Sequence, residues 1–281
     1  MSRIEKALEK AVQLRDSRTG GGPAGAAPGN EKAAGTRAFA GQPEAHISDP
    51  HIVTLNNPDS PVSEEYRKLK SMIVKLTRQG GFRNTLLVTS ALGLEGKSIT
   101  AINLAITLSQ EYDHTVLLVD ADLRKPALHS YFNITPEIGL ADCIADECDL
   151  GSALIRTGIG KLSLLPAGKK VTNPAELLSS ERMKEIISEM KQRYSDRYVI
   201  IDTPPILSFA ETHSISSMVD GVVFVVKEGM TSLQSISDAF DILRHSKVLG
   251  MVYNDAGAED IMDRNNSRHY FRGVAGPGGG R

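Results

Sequence analysis

Leu86-Leu87-Val88-Thr89-Ser90-Ala91-Leu92-Gly93-Leu94-Glu95-Gly96-Lys97-Ser98 is the stretch that decides the fold. An apolar run reads as a strand and feeds a short loop ending in Gly-Lys-Ser. The helical pattern Thr100-Ala101-Ile102-Asn103-Leu104-Ala105 follows. That order sets a phosphate-binding loop at a helix N-terminus, where free backbone N–H groups and the helix dipole favour an anion. Lys97 is placed to reach the β- and γ-phosphates, and the Ser98 hydroxyl to hold Mg²⁺. The usual spacing has a glycine where this chain has Ala91.

Two further runs end in carboxylates: Val116-Leu117-Leu118-Val119-Asp120-Ala121-Asp122-Leu123-Arg124, and Tyr198-Val199-Ile200-Ile201-Asp202-Thr203-Pro204-Pro205. Each has the length and continuous apolarity of a strand buried on both faces of a parallel sheet. Ligands of open α/β sheets bind beyond the carboxyl ends of the strands. Lys97, Ser98, Asp120, Asp122 and Asp202 are therefore expected in one crevice. One Asp after an apolar run is an ordinary cap or turn former. Two such runs in order behind a Gly-Lys-Ser loop carry more meaning. Asp202 suits a carboxylate acting through a metal-bound water, and Asp120 or Asp122 a general base or a further outer-shell ligand.

These three motifs resemble the Walker A, A′ and B set of bacterial tyrosine kinases that control exopolysaccharide polymerisation and export. Arg124-Lys125-Pro126, Asn173-Pro174-Ala175-Glu176-Leu177-Leu178 and Gly250-Met251-Val252-Tyr253-Asn254 add to the likeness. The opening Met1-Ser2-Arg3-Ile4-Glu5-Lys6-Ala7-Leu8 is similar to stand-alone autokinases of exosortase-linked polysaccharide systems. The resemblance implies a P-loop NTPase fold of ParA/MinD type, a mostly parallel sheet with helices on both faces. It implies ATP and Mg²⁺ as ligands, with Gly93, Glu95, Gly96, Lys97, Ser98, Ile99, Arg124 and Asn254 at the nucleotide and Ser98, Asp122 and Asp202 at the metal. Lys97, Asp120 and Asp122 are the implied catalytic residues. Glu64, Arg67 and Lys70 match the family's Glu-x-x-Arg-x-x-Arg oligomer motif, with lysine replacing the last arginine and its bidentate fork. Leu94 stands where the family commonly has glycine, at a position where positive φ is costly for a side chain. The family's tail carries a cluster of tyrosines, whereas here Tyr270 is the one acceptor after Gly257.

The 281 residues carry a net charge of −2, which gives no global reason to bind nucleic acid. No apolar segment approaches the roughly 20 residues of a membrane span. Cys143 and Cys148 lack zinc spacing and read as reduced structural thiols, and the seven histidines form no ligand set. Residues 1–16 predict an amphipathic helix with Ile4, Ala7, Leu8, Ala11 and Val12 on one face, a candidate docking element. Residues 17–50, rich in Gly, Ala and Pro, predict a disordered linker. Residues 51–255 predict the P-loop kinase or ATPase domain, and 256–281 a disordered tail with Tyr270. Within the domain, helices are expected over 61–78, 97–111, 139–145, 180–193 and 232–245. Strands are expected from Asn84 and over 115–119, 162–165, 198–202, 221–227 and 247–253.

The leading expectation is an ATP-dependent protein-tyrosine autokinase regulating exopolysaccharide polymerisation. The resemblance adds a membrane polysaccharide co-polymerase as activator, a homo-oligomeric ring, and a cytoplasmic chain recruited to the inner membrane face. Two alternatives stand beside it: a ParA/MinD-type ATPase, and a non-catalytic regulator that assembles on nucleotide. The first of these carries a signature lysine where this chain has Leu92.

Overall fold

Strands that are apolar along their whole length must be covered on both faces, and the central four, Thr85–Ser90, Thr115–Asp120, Arg197–Asp202 and Gly221–Lys227, are buried almost throughout. The computed structural model describes residues 47, 49–78, 81–145, 147–193 and 196–257. The strands are β1 (Thr85–Ser90), β2 (Thr115–Asp120), β3 (Ile155–Arg156), β4 (Leu162–Leu165), β5 (Arg197–Asp202), β6 (Gly221–Lys227) and β7 (Val248–Asn254). They form one sheet in the order β3-β4-β2-β5-β1-β6-β7. All pairings are parallel except β3 with β4. The chain order reverses around β1, so the crevice above β1, β5 and β2 is a topological switch point.

The helices are α1 (Val53–Asn56), α2 (Pro61–Thr77), α3 (Lys97–Ser109), α4 (Leu128–Tyr131), α5 (Leu140–Ile144), α6 (Leu150–Ala153), α7 (Pro174–Leu178), α8 (Glu181–Gln192), α9 (Ala210–Ser216) and α10 (Leu233–Ile242). The serines Ser60, Ser180 and Ser232 cap α2, α8 and α10, each accepting a backbone N–H three residues on. Pro61 at the first position of α2 has no N–H to leave unsatisfied.

Alternate strand residues point to opposite faces. On one face Leu87, Val119, Ile201 and Phe224 pack with Met183, Ile186, Ile187 and Met190 of α8. On the other, Leu86, Val88, Leu118 and Ile200 pack with α3. From Thr100 to Ser109 every residue of α3 is buried, because α1 and α2 cover its outer side. Asn103 fixes that cover: its Oδ1 accepts from Thr54 N and Oγ1 at 3.0 and 2.9 Å, and its Nδ2 donates to His51 O at 3.0 Å. The Tyr198 hydroxyl, 2.7 Å from Thr77 Oγ1, ties α2 to β5.

The mostly parallel sheet with helices on both faces agrees with the sequence reading. The helix expected over 232–245 divides into α10 and a 3₁₀ turn, Leu243–His245. Periodicity did not reveal α1, α4, α6, α7 or α9, which span only one or two turns. The helix expected in 1–16 lies outside the described residues. So does the linker except Ile47, Asp49 and Pro50, and Ile47 is buried in the α3-side core. Of the tail, only Ala256 and Gly257 are described, so Tyr270 lies outside as well. Among the described residues no helix is long and apolar enough to cross a membrane.

Candidate functional site

The loop from Ala91 to Gly96 joins β1 to α3 and is braced from inside. Glu95 is fully buried, and its carboxylate accepts hydrogen bonds from Leu92 N and Thr231 Oγ1. Asn254 at the end of β7 donates from Nδ2 to Glu95 O at 3.0 Å. Gly96 caps α3 with φ 87°, and a Cβ there would lie 2.0 Å from Asn254 Nδ2, so glycine is required by torsion and by space. Leu94 takes φ 65° with its side chain 86% exposed. The strain expected at that position is present, and no burial offsets it. The first-turn N–H groups of α3, on Lys97, Ser98 and Ile99, have no intrahelical acceptor and are available to an anion.

The three acidic strand-end residues converge beside this loop. Asp120 and Asp202 are register partners at the ends of β2 and β5. Asp120 is fully buried and accepts N–H bonds from Leu128 at 3.0 Å, Ala127 at 3.1 Å and Asp122 at 3.2 Å. Burial, reinforced by the charge of Asp202, pushes its pKa up to about 8. Asp202 is also pushed up by burial, to about 6, against the opposing pull of Lys97 and a hydrogen bond from Ser98. Lys97 Nζ lies 3.7 Å from Asp122 Oδ2, and Asp122 Oδ1 accepts from Lys125 N at 3.0 Å.

One oxygen in this group, Asp202 Oδ1, is buried without a hydrogen-bond partner. A buried orphan acceptor is costly unless a cation or donor meets it. The Asp202 carboxyl interacts with the Ser98 hydroxyl and feels the Asp122 charge, and hydroxyl and carboxylate oxygens are the hard donors that fit Mg²⁺. Among the described residues no three His, Cys, Asp or Glu side chains converge into a cage, so a cation here needs further oxygens from phosphate or water.

Of the other residues expected at the site, several make contacts within the protein. The Arg124 guanidinium donates from Nε to Glu211 Oε1 at 2.5 Å and lies 4.6 Å over the Phe209 ring. The Glu95 side chain faces the protein interior, and Ile99 packs partly into the α3-side core. Gly93 has open space around its Cβ direction. On α2, Glu64 pairs with Arg67 at 2.6 Å, but Lys70 turns to Glu111 of its own chain at 2.8 Å. Sequence reasoning missed Thr231 and Glu211. Both act on residues far away in the chain, and no local pattern marks them.

The fold and this site define a P-loop nucleotide-binding protein of MinD-like topology. A family profile described as "AAA domain" matches residues 85–248. The tyrosine-protein kinase YwqD of Bacillus subtilis (strain 168) is 36% identical over 208 residues, 73% of this chain and 85% of that protein. The putative tyrosine-protein kinase CapB of Staphylococcus aureus is 30% identical over 220 residues, 78% of this chain and 93% of that protein. The chimerical protein CapA2B2 has a TM-score of 0.68 at 28% identity, covering 76% of this chain and 94% of that one. The septum site-determining protein MinD of Pyrococcus horikoshii, with TM-score 0.51 at 20% identity over 64% of this chain and 76% of that one, shares the fold alone. The chain belongs to the family of bacterial tyrosine-protein kinases.

Proposed function

We propose that this site transfers the γ-phosphoryl group of Mg-ATP to a tyrosine hydroxyl, first to Tyr270 of another copy of the chain, and thereby regulates exopolysaccharide polymerisation and export. The observation that carries this reading is the buried, partnerless Asp202 oxygen beside Ser98, Asp122 and Lys97. Phosphoryl transfer requires mainly positioning and charge neutralisation.

Lys97 and the first-turn N–H groups of α3 hold the phosphates. Ser98, Asp122 and Asp202 hold Mg²⁺, which when bound neutralises charge developing on the transferred group. Asp120 takes the phenolic proton. Three N–H groups fill three of its roughly four lone-pair sites and orient what remains. With a pKa of about 8, only about a tenth of Asp120 is ionised at pH 7, and that ionised fraction is the base, its affinity for the proton nearer to a phenol's than an ordinary carboxylate's is. Arg124, held by Glu211 and Phe209, borders Asp122 from outside.

Residues 51–255 act as the catalytic unit. Residues 1–16 serve as a docking element, and α2 with Glu64, Arg67 and Lys70 as a contact between copies in a ring. A cytoplasmic segment of a membrane polysaccharide co-polymerase recruits the chain to the inner membrane face and stimulates it. Arg268 and Arg272, which flank Tyr270, steer it toward bound polyphosphate.

The test is incubation with Mg-ATP and phosphosite mapping of a mixture of Lys97→Met protein and Tyr270→Phe protein. Phosphate on Tyr270 of the Lys97→Met chain is the expected result. ATP hydrolysis without phosphotyrosine refutes the kinase reading and leaves an assembly ATPase. Phosphotyrosine confined to the domain refutes Tyr270 alone.

A further inference from the structure

The chain contains two cysteines, and the fold brings them together away from the phosphate loop. Cys143 lies in the last turn of α5. Cys148 stands just before Asp149, the residue that caps α6. Between them the backbone doubles back: Ala145 N donates to Ala141 O at 3.1 Å and Glu147 N to Asp142 O at 2.9 Å. This return places the two Sγ atoms 2.6 Å apart. Both thiols are free, Cys143 buried and Cys148 half-buried.

The frame around the pair is rigid on one side. Leu140 and Ala141 donate backbone N–H groups to Pro166 O and Ala167 O at 2.8 and 2.9 Å. The Asp142 carboxylate accepts from Gly139 N and Lys169 N at 2.8 and 3.2 Å. Cys143 is therefore held in place while Cys148 sits on the turn that closes over it. A fixed, sheltered thiol facing an accessible one is the arrangement of a resolving and an attacking cysteine. Catalysis at the phosphate loop uses neither.

We propose that Cys143 and Cys148 form a reversible dithiol–disulfide modification site, oxidised by exchange with a small-molecule disulfide. Cys148 loses its proton to solvent, and the thiolate attacks one sulfur of the small disulfide. That S–S bond breaks, and one small thiolate leaves and is protonated. Cys143 then gives up its proton and attacks Cys148 Sγ, expelling the second small thiol. The balance is one protein dithiol and one small disulfide giving one protein disulfide and two small thiols, with two electrons passing to the small disulfide. Exchange starts at Cys148 because burial and the neighbouring thiol push Cys143 upward in pKa. The product is a local staple across the α5–α6 corner.

The full chain is equilibrated with oxidised and reduced glutathione at a series of ratios, quenched with an alkylating reagent and weighed intact. With rising oxidised fraction, the expected result is loss of two hydrogens and of both alkylatable thiols in the monomer, reversed by dithiothreitol. Cys143→Ser should instead trap glutathione on Cys148, because the resolving thiol is gone. Cys148→Ser should leave Cys143 without an adduct. Two alkylatable thiols in the wild-type chain at every ratio overturn the proposal. So does a glutathione adduct that persists on the wild-type chain, or a disulfide between two chains.

Discussion

Replacing Asp120 by asparagine should stabilise the nucleotide-free protein at high pH and weaken it at low pH. The sign follows from a folded-state pKa of about 8 against about 3.9 in the unfolded chain. The folded state keeps a proton that the unfolded state releases, so stability is full below about pH 4 and falls as pH rises to about 8. One such proton changes the unfolding free energy by about 1.4 kcal/mol per pH unit. At pH 5 wild-type Asp120 has therefore lost about 1–2 kcal/mol, and above pH 8 about 5 kcal/mol. Asparagine removes that loss and introduces another. Its amide NH₂ must face N–H donors at Ala127 and Leu128 or at Asp122, a mismatch of about 1–3 kcal/mol. The two effects roughly cancel at pH 5 and leave the variant about 2–4 kcal/mol more stable at pH 8. Asp202 titrates with Asp120 as a pair, so wild-type and variant curves are to be compared as wholes. Urea unfolding from pH 5 to 8 at constant ionic strength, with chelator and no nucleotide, measures the difference. A gap between the two proteins that stays constant across that range refutes the assignment of the pH dependence to Asp120.

Gly96→Ala should lose about 2–3 kcal/mol, from the left-handed torsion and the displaced Asn254–Glu95 bond, and should weaken nucleotide binding; calorimetric titration and urea unfolding check both. Leu94→Gly should be neutral to about 1 kcal/mol stabilising, since strain relief outweighs glycine's added unfolded-state freedom and almost no buried surface is lost. A clear fall in its melting temperature counts against the strain. Glu211→Gln should destabilise by about 1–3 kcal/mol, below the value for a fully buried pair because the Arg124 side chain is 37% exposed. Unchanged unfolding of that variant overturns the structural role given to the pair. Asp202→Asn should raise the Mg²⁺ concentration needed for half-maximal ATP turnover, and an unshifted requirement removes Asp202 from the cation.

The three motif strands were legible because each is apolar throughout and ends in residues with one chemical purpose. Their meeting at one crevice was expected from the same features, whereas the order β2-β5-β1 was not. Leu94 was also legible, since a side chain at a position reserved for glycine announces its own strain. The braces of the site were not. Thr231 meets Glu95 across 136 positions and Glu211 meets Arg124 across 87. Sequence periodicity reports neighbours within a turn or two and cannot register such pairs. The helix that carries Glu211 has only 7 residues, too few to show a period. Lys70 carries a motif match for a contact between copies, while within the chain it pairs with Glu111, a partner no local pattern marks.

Asn254 closes the phosphate loop and is also the last residue of β7, so the chain leaves the sheet at the mouth of the site. Asp255 is held there by Lys227 at 3.0 Å, and Gly257 N donates to Glu228 at 2.8 Å. Tyr270 follows sixteen positions after Asn254, a contour length of at most roughly 55 Å. If Tyr270 is the acceptor proposed above, it would meet a neighbouring copy's site at an effective concentration in the millimolar range while the copies stay assembled. Phosphorylation per molecule should then hold constant on dilution for as long as neighbouring copies stay assembled, and fall abruptly when they part.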